Sequence, residues 1–472
     1  MPHFNLRCAA PLVVWLAIAL IPHPTGLSAN AWNYLALFIA VIVALILEPI
    51  PPAAVGLVGI TLNMVLGYVA PKPADAVKWG LSGFADGTVW LIFGALVFST
   101  GYEKTGLGRR IALSLVRVMG RSTLGLGYAV MLADLLIAPF TPSNTGRSAG
   151  VIFPIIRGIP ALYGSAPGPT ARRIGAYLMW TAFASTAVTS SMFLTALSPN
   201  LLALSLVRQT TAVDITWLQW TSGFLPVGLV LIVPLPLLVY LIYPPEIRSS
   251  PEVAAWAKAE LVRLGSLSSK EGVMMLSILL AFSLWVFAGE WINPTTVVLA
   301  VVSLMVLVRV LDWDDVVGNR AAWDTLVYFA TLLTLADGLN RVGIVTWAAR
   351  GVSSLLTGSS PLLAMIVLVS FFFLVHYMFA SLTAHTMAVL PALLSAGAAL
   401  PGMPVPVLAL LLVYSIGLMG VITPYATGPA PVYFGSGFIP RKDFWALGFV
   451  FGLIYLTTLL GVGIPYLLNR TL

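Results

Sequence analysis

The sequence predicts an all-α protein that crosses a membrane many times. Its 472 residues are 59% hydrophobic and only 9% charged, whereas a soluble domain carries roughly 25% charged residues. Apolar runs of about 20 residues recur, and the alternating pattern of a membrane β-barrel is absent, so the spans are predicted to be helices. Polar residues interrupt two further apolar stretches, 123–160 and 359–400.

The apolar runs predict eleven transmembrane helices and two re-entrant hairpins. The hairpins are predicted at the two interrupted stretches, because broken backbone is tolerated at membrane depth only against protein or a water-filled cavity. The predicted spans lie near residues 9–22, 31–48, 53–69, 86–101, 172–206, 217–243, 272–289, 293–309, 323–338, 404–436 and 443–467.

The charge pattern predicts the location and orientation of the chain. The net charge of +7 is explained by the positive-inside rule rather than by a nucleic-acid partner. Most basic residues fall on the cytoplasmic side if the N-terminus is cytoplasmic, and an odd number of spans then places the C-terminus in the periplasm. The run from Ala9 to Ile21 is interpreted as a first transmembrane helix rather than a cleaved signal peptide. Nothing resembles a transit peptide, which favours a bacterial inner membrane. The single cysteine, Cys8, excludes an internal disulfide and a cysteine metal cluster.

A hydrophilic segment, Pro244–Lys270, divides the chain into two similar halves. Each half ends with a hairpin, then a span with a proline-containing break, and then another span. An odd number of crossings separates the two hairpins, so the halves are predicted to be inverted repeats. Paired, interrupted apolar segments at matching positions of two halves indicate the binding site of a transporter.

The polar residues at these breaks are the candidate binding residues. Half-helix N-termini at the membrane midplane suit anions, and short hydroxyl and amide side chains bind a compact polar solute. An arginine and a histidine make the site positive, so the pattern predicts a carboxylate substrate. The predicted substrate-binding residues are Ser143, Asn144, Thr145, Arg147, Ser198, Pro199, Asn200, His385, Thr386, Thr427, Gly428 and Pro429.

Each candidate also has a structural interpretation. Serine and threonine in membrane helices often bond only to backbone carbonyls of their own helix. Arg147 has a possible ion-pair partner, Asp134, on the preceding arm of the same hairpin. The alternative for His385 is a neutral histidine satisfied by a hydroxyl. Packing or helix-end roles are predicted for His376, Tyr377 and Glu48.

Five sequence segments resemble the divalent anion/sodium symporter family, and most closely its bacterial citrate/succinate and tartrate/succinate antiporter branch. The segments are 141–145 (TPSNT), 381–386 (SLTAHT), 423–429 (TPYATGP), 48–51 (EPIP) and 106–113 (GLGRRIAL). The resemblance extends over nearly the whole chain.

The resemblance implies a homodimer in which a transport domain moves against a scaffold domain by an elevator mechanism. Under it, residues 1–122 and 272–358 are the scaffold helices of the two repeats. Residues 123–243 and 359–472 are the transport-domain parts, and residues 244–271 are a cytoplasmic linker. In the family, a Ser-Asn-Thr motif in each hairpin contacts the substrate carboxylate and helps to hold sodium.

The sequence departs from the sodium-coupled pattern at two positions. The second motif is Ala384-His385-Thr386, so a histidine replaces the asparagine, and Arg147 stands where sodium-coupled members carry a small residue. We therefore hypothesise that Arg147 and His385 replace the two sodium ions, so that no metal and no cofactor is expected. An arginine cannot leave the carrier. An empty carrier with an uncompensated charge would then return slowly, which would make exchange obligatory.

The sequence thus predicts a secondary transporter that exchanges di- or tricarboxylates of the citrate, tartrate, malate, succinate or 2-oxoglutarate class without sodium. Its predicted partners are these small carboxylates and membrane lipid. The alternative is a sodium- or proton-coupled symporter, especially if His385 titrates. An intramembrane enzyme is disfavoured, because the chain has only four histidines and no recognisable nucleophile constellation. Paired hairpins also suit alternating access better than the continuous pore of a channel.

Overall fold

A computed structural model of the chain describes residues 6–289, 291–355 and 358–470. The all-α prediction is confirmed, since the described part contains no β-strand and only one isolated antiparallel bridge, between Ser122 and Ser249. The first twelve α-helices are α1 (Leu6–Ala19), α2 (Ala29–Leu47), α3 (Pro52–Leu66), α4 (Pro73–Gly80), α5 (Gly87–Thr105), α6 (Leu107–Met119), α7 (Thr123–Ile137), α8 (Phe153–Arg157), α9 (Gly175–Met192), α10 (Ser198–Thr211), α11 (Trp217–Ile232) and α12 (Leu235–Ile242). The other twelve are α13 (Pro251–Leu264), α14 (Ser269–Phe287), α15 (Pro294–Leu307), α16 (Trp313–Val317), α17 (Arg320–Arg341), α18 (Ile344–Leu355), α19 (Pro361–Val375), α20 (Leu382–Ala398), α21 (Val405–Leu418), α22 (Ala430–Gly435), α23 (Arg441–Thr458) and α24 (Ile464–Leu468).

Local sequence signals explain where several helices begin. The Ser122 hydroxyl accepts a hydrogen bond from the Gly125 N–H and caps α7. Thr216 and Gln219 form a reciprocal capping box at the start of α11, as Ser268 and Glu271 do at the start of α14. These caps satisfy N–H groups that have no partner within the helix.

Six helical segments are long and apolar enough to cross a membrane, by length and composition alone. The first arms of both predicted hairpins are among them, and several shorter apolar helices, such as α3, α15 and α20, accompany them. Because helix length alone does not separate a re-entrant arm from a full crossing, the count of eleven spans stays a prediction. The six segments are Ala29–Leu47, Thr123–Phe140, Trp217–Ile242, Ser269–Phe287, Pro361–Met378 and Arg441–Leu468.

The chain divides into two compact units. Unit 1 comprises residues 1–93, 201–214 and 320–413, and unit 2 comprises residues 94–200, 215–319 and 414–472. The predicted scaffold and transport domains follow a different division of the chain, and they stay a prediction.

In unit 1, α3 packs against α17, and the Tyr34 hydroxyl of α2 donates a hydrogen bond to the Leu335 carbonyl at 2.6 Å. Helices α18 and α19 pack against α20. The second predicted hairpin consists of α19 and α20, separated by a 3₁₀ turn, His376–Met378, and a short extended segment.

In unit 2, helix α9 is the central element, because every one of its 18 residues is buried. A helix that is buried all round belongs in the interior of a larger helical assembly. Helices α7, α11 and α12 pack against it. Trp180 on this helix contacts the rings of Phe183, Phe444 and Phe451. This core holds the surrounding helix breaks in position.

Three chain breaks lie in unit 2. After α7, the chain forms a 3₁₀ turn (Ala138–Phe140) and an extended residue, and then resumes as a π-helix (Thr145–Ile152) that continues into α8. A second break separates α9 from α10, and a third separates α21 from α22. The polar residues that interrupt the apolar runs of the sequence therefore lie where regular helix stops.

Candidate functional site

The first break is built by prolines and a short polar turn. Pro139 and Pro142 have no N–H to continue a helix, and Thr141 between them is extended. The Ser143 hydroxyl accepts a hydrogen bond from the Gly146 N–H at 3.1 Å, which starts the π-helical segment. Short π-helical segments occur frequently at functional sites.

The second break lies directly against the first. The Ser198 N–H and the Ser198 hydroxyl both donate hydrogen bonds to the Pro142 carbonyl, at 2.7 and 2.8 Å. The Thr195 hydroxyl donates to the Pro139 carbonyl at 2.6 Å. Asn200 turns inward, and its amide donates to the Ser190 carbonyl at 2.7 Å. The bonds from Thr195 and Ser198 use carbonyls of the broken hairpin, and the bond from Asn200 uses a carbonyl near the end of α9.

The third break contacts the first through two side-chain positions. The Asn144 amide donates a buried hydrogen bond to the Thr427 hydroxyl at 2.7 Å. Gly428 lies so close to Thr145 that a β-carbon at Gly428 would stand 1.9 Å from the Thr145 hydroxyl oxygen. A β-carbon here would force the Thr145 side chain or the backbone to shift. Pro429 precedes the short helix α22.

Arg147 is completely buried and uses all five of its guanidinium N–H groups. Its Nε donates to Asp134 at 3.0 Å. Its Nη1 donates to the carbonyls of Thr141 and Ala196, at 3.1 and 2.9 Å. Its Nη2 donates to the hydroxyls of Thr189 and Ser190, at 3.3 and 3.1 Å. The guanidinium thus joins the unwound segments of the first and second breaks.

Asp134 compensates the charge of Arg147. One carboxylate oxygen accepts from Arg147 and from the Thr186 hydroxyl, the latter at 2.8 Å, and the other accepts from the Thr189 hydroxyl. The two charged side chains are 0% and 1% exposed, and burial at this level requires such pairing. The ion pair considered as the alternative for Arg147 is therefore present. The hypothesis of an uncompensated charge needs correction, because the carboxylate neutralises the arginine within the same unit.

The accessible polar side chains among the predicted site residues of unit 2 are small and uncharged. The side chains of Ser143 and Ser198 are half-buried, and Thr145 and Gly428 are exposed, whereas Arg147 is buried behind them. The site residues Asn144, Asn200 and Thr427 are also buried. A compact anion would meet hydroxyls and backbone N–H groups here rather than a free cation.

The second hairpin, in unit 1, has a different environment. The Thr386 hydroxyl donates to the Leu382 carbonyl of its own helix at 2.7 Å. His385 is 0% exposed. Its Nδ1 lies 3.1 Å from the Nδ1 of His376, so the partner of this nitrogen is an imidazole rather than the hydroxyl considered in the alternative. Ten of the twelve predicted site residues surround the breaks of unit 2, and His385 and Thr386 belong to unit 1.

Residues 3–468 match the family model described as the sodium:sulfate symporter transmembrane region. The chain belongs to this family. The family predicted from the sequence motifs is thereby confirmed, and the chain is a membrane transporter and not an enzyme.

This transporter is similar to two relatives in sequence and to one solved structure in fold. It is 49% identical to the citrate/succinate antiporter of Escherichia coli (strain K12) over 98% of this chain and 97% of the relative. It is 45% identical to the L-tartrate/succinate antiporter of the same strain, with the same shares covered. The fold resembles the crystal structure of the Alcanivorax borkumensis YdaH transporter. That comparison has a TM-score of 0.58 and 16% identity, and it covers 88% of this chain and 98% of that one.

Sequence reasoning missed most partners of the buried transporter residues. Thr186 and Thr189, which bind Asp134, were treated only as part of an apolar span, and His376 was predicted to pack. The density of serine and threonine between residues 185 and 191 is the signal that could have identified the first two. Among the described residues, no group of three or more histidine, cysteine or acidic side chains could hold a metal ion.

Proposed function

We propose that this transporter exchanges di- and tricarboxylates of the citrate, tartrate, malate, succinate or 2-oxoglutarate class across the bacterial inner membrane, independently of sodium. The names of the two relatives, which are antiporters for citrate or L-tartrate against succinate, support the substrate class and the exchange. The accessible hydroxyls and helix breaks of unit 2 support binding of a carboxylate, because half-helix N-termini attract anions.

The position of the Arg147 guanidinium is the observation that supports sodium-independent transport. It donates to the carbonyls of Thr141, which is extended, and of Ala196, which ends a 3₁₀ turn, so both lie where α-helix is interrupted. Unwound backbone carbonyls are the groups that coordinate sodium in transporters with broken helices. Because the guanidinium places a positive charge against these oxygens, binding of a sodium ion there is disfavoured. Under this proposal, Arg147 and His385 take the places of the two sodium ions of sodium-coupled relatives.

Obligatory exchange then has a different origin from the one first hypothesised. Asp134 neutralises Arg147, so the empty carrier does not move an unpaired arginine. It does move polar groups at the breaks that a bound carboxylate would satisfy. Burying one unsatisfied polar group costs about 1–3 kcal/mol in proteins, and two such groups would slow the empty return by at least about thirtyfold.

The domain and membrane arrangement completes the proposal. The scaffold helices would be residues 1–122 and 272–358, and the transport domain would comprise residues 123–243 and 359–472, with residues 244–271 as the linker. The transporter would work as a homodimer by an elevator movement, in contact with membrane lipid. The family resemblance supports these statements, and the distribution of basic residues supports a cytoplasmic N-terminus and a periplasmic C-terminus.

Counterflow in proteoliposomes tests the proposed function. We expect labelled citrate or succinate to enter vesicles preloaded with unlabelled succinate, at least about tenfold faster than it enters vesicles without internal dicarboxylate. Replacing sodium by choline on both sides should leave the rate unchanged. Rapid uptake into empty vesicles, driven by an imposed sodium or proton gradient, would contradict the proposal and favour a coupled symporter.

A further inference from the structure

Two histidines of the second hairpin form a buried pair in unit 1. The Nδ1 atoms of His376 and His385 are 3.1 Å apart, and both side chains are 0% exposed. A hydrogen bond between two ring nitrogens requires a proton on one of them and a lone pair on the other. The contact therefore couples the tautomer of one ring to that of the other.

Aromatic neighbours fix the plane of the His385 ring. Phe372 and Phe379 stack on it with ring centroids 4.5 and 4.8 Å away and interplanar angles of 30° and 22°. A stacked ring keeps its two nitrogens at defined positions. Because Nδ1 faces His376, the position of Nε2 is also fixed, and a hydrogen bond at Nε2 can form in only one direction.

The Nε2 atom of His385 is buried and has no hydrogen-bond partner among the described residues. Buried polar atoms in proteins nearly always have a partner, so an exception calls for an explanation, and a functional role is one such explanation. A protonated Nε2 would donate to an oxygen of an anion. A bare Nε2 would present a lone pair and repel a carboxylate.

We propose that His376 is a positioning residue for substrate binding. Its Nδ1–H donates to Nδ1 of His385, which places the proton of neutral His385 on Nε2 and presents one N–H donor to a substrate carboxylate. This inference rests on the proposed carboxylate exchange. Under this inference, neutral His385 donates a hydrogen bond to the substrate where sodium-coupled relatives hold a sodium ion. His376 then orients that donor in addition to packing.

Isosteric variants of His376 separate positioning from packing. The side-chain amide of asparagine reaches the place of Nδ1, whereas that of glutamine reaches the place of Nε2. We expect His376→Asn to keep the apparent KM for succinate counterflow within about threefold of wild type. We expect His376→Gln to raise it about tenfold to a hundredfold with a smaller change in maximal rate, because a hydrogen bond to a charged carboxylate is lost. The exposed His23 supplies the control, and His23→Gln should match wild type.

A spectroscopic measurement tests the same inference without transport. The chain has four histidines, so selective ¹⁵N labelling of imidazole gives a simple spectrum in which protonated and bare ring nitrogens are distinguished. We expect wild-type His385 to be protonated at Nε2 and bare at Nδ1, and His376→Gln to lose this preference.

A proton on Nδ1 of His385 in wild type would overturn the inference, as would equal apparent KM values for the Asn and Gln variants. If neither variant folds, the wild-type spectrum alone tests the inference. A wild type that exchanges no carboxylate would instead refute the proposed function, and the spectrum would still report the tautomer.

Discussion

Two ionisable residues near the helix breaks, Arg147 and His385, have opposite environments. Arg147 makes five hydrogen bonds and is paired with Asp134. His385 stacks with aromatic rings, shares one hydrogen bond with His376, and keeps one ring nitrogen without a partner among the described residues. Both are 0% exposed, so burial does not distinguish them.

The difference lies in how completely each residue is satisfied. A guanidinium whose five N–H groups all have protein partners holds the broken segments together and has no donor left for a ligand. An imidazole with one unsatisfied nitrogen keeps a donor or an acceptor for a ligand. An ionisable group inside a membrane protein is a candidate functional residue, and its hydrogen-bond inventory then indicates whether it organises the site or contacts the substrate.

The largest expected effect comes from separating Arg147 from Asp134. Asp134→Leu should lower the free energy of unfolding by about 3–5 kcal/mol, because it leaves a buried charge without its partner. The double variant Asp134→Leu/Arg147→Met should recover most of this loss, since both charges are gone. Thermal unfolding of the purified protein in detergent measures both effects.

The matched change at the other residue is His385→Phe, which keeps the aromatic stacking and removes one hydrogen bond. It should cost about 1–3 kcal/mol, less than Asp134→Leu. If His385→Phe lowered the free energy of unfolding more than Asp134→Leu, the comparison would be contradicted, because His385 would then contribute more to stability than the ion pair of Arg147.

An intermediate effect is expected where the first and third breaks meet. In Gly428→Ala, the new β-carbon would stand 1.9 Å from the Thr145 hydroxyl oxygen, so the Thr145 side chain or the two breaks must shift. Overpacking of this kind costs about 1–3 kcal/mol, and we expect counterflow to fall at least about tenfold, because a displacement of about 1 Å at a site can cost a hundredfold.

Gly435→Ala is the control for this change, because nothing lies within 4 Å of a β-carbon at that helical position. Gly428→Ala/Thr145→Ala should recover part of the stability by removing the obstructing hydroxyl. Wild-type counterflow in Gly428→Ala would show that the close contact with Thr145 is dispensable.

The sequence identified the helical class, the breaks and the family, because polar residues and prolines are conspicuous in apolar runs. It could not identify the partners of those residues. Asp134 was named as a possible partner of Arg147 because it lies on the same hairpin, but Thr186 and Thr189 come from α9, and their contact with Asp134 depends on how that helix is rotated. His376 was predicted to pack because its sequence neighbours are apolar.

The smallest expected effect comes from an ion pair outside the membrane spans, which tests whether burial rather than pairing makes Asp134 important. Lys104 donates to Asp315 at 2.6 Å, a shorter distance than that between Arg147 and Asp134, but the two side chains are 35% and 25% exposed.

The hydrogen bond from Lys104 holds the pKa of Asp315 below its usual value of 3.8. A lowered pKa in the folded state means that the carboxylate stabilises the protein above about pH 4 and loses this effect as the pH falls through the folded-state pKa. Asp315→Asn should therefore lower the thermal midpoint slightly at pH 7 and less at pH 3, and far less than Asp134→Leu does, because water already solvates both charges. An equal loss in the two variants at pH 7 would show that pairing alone, and not burial, determines the contribution of Asp134.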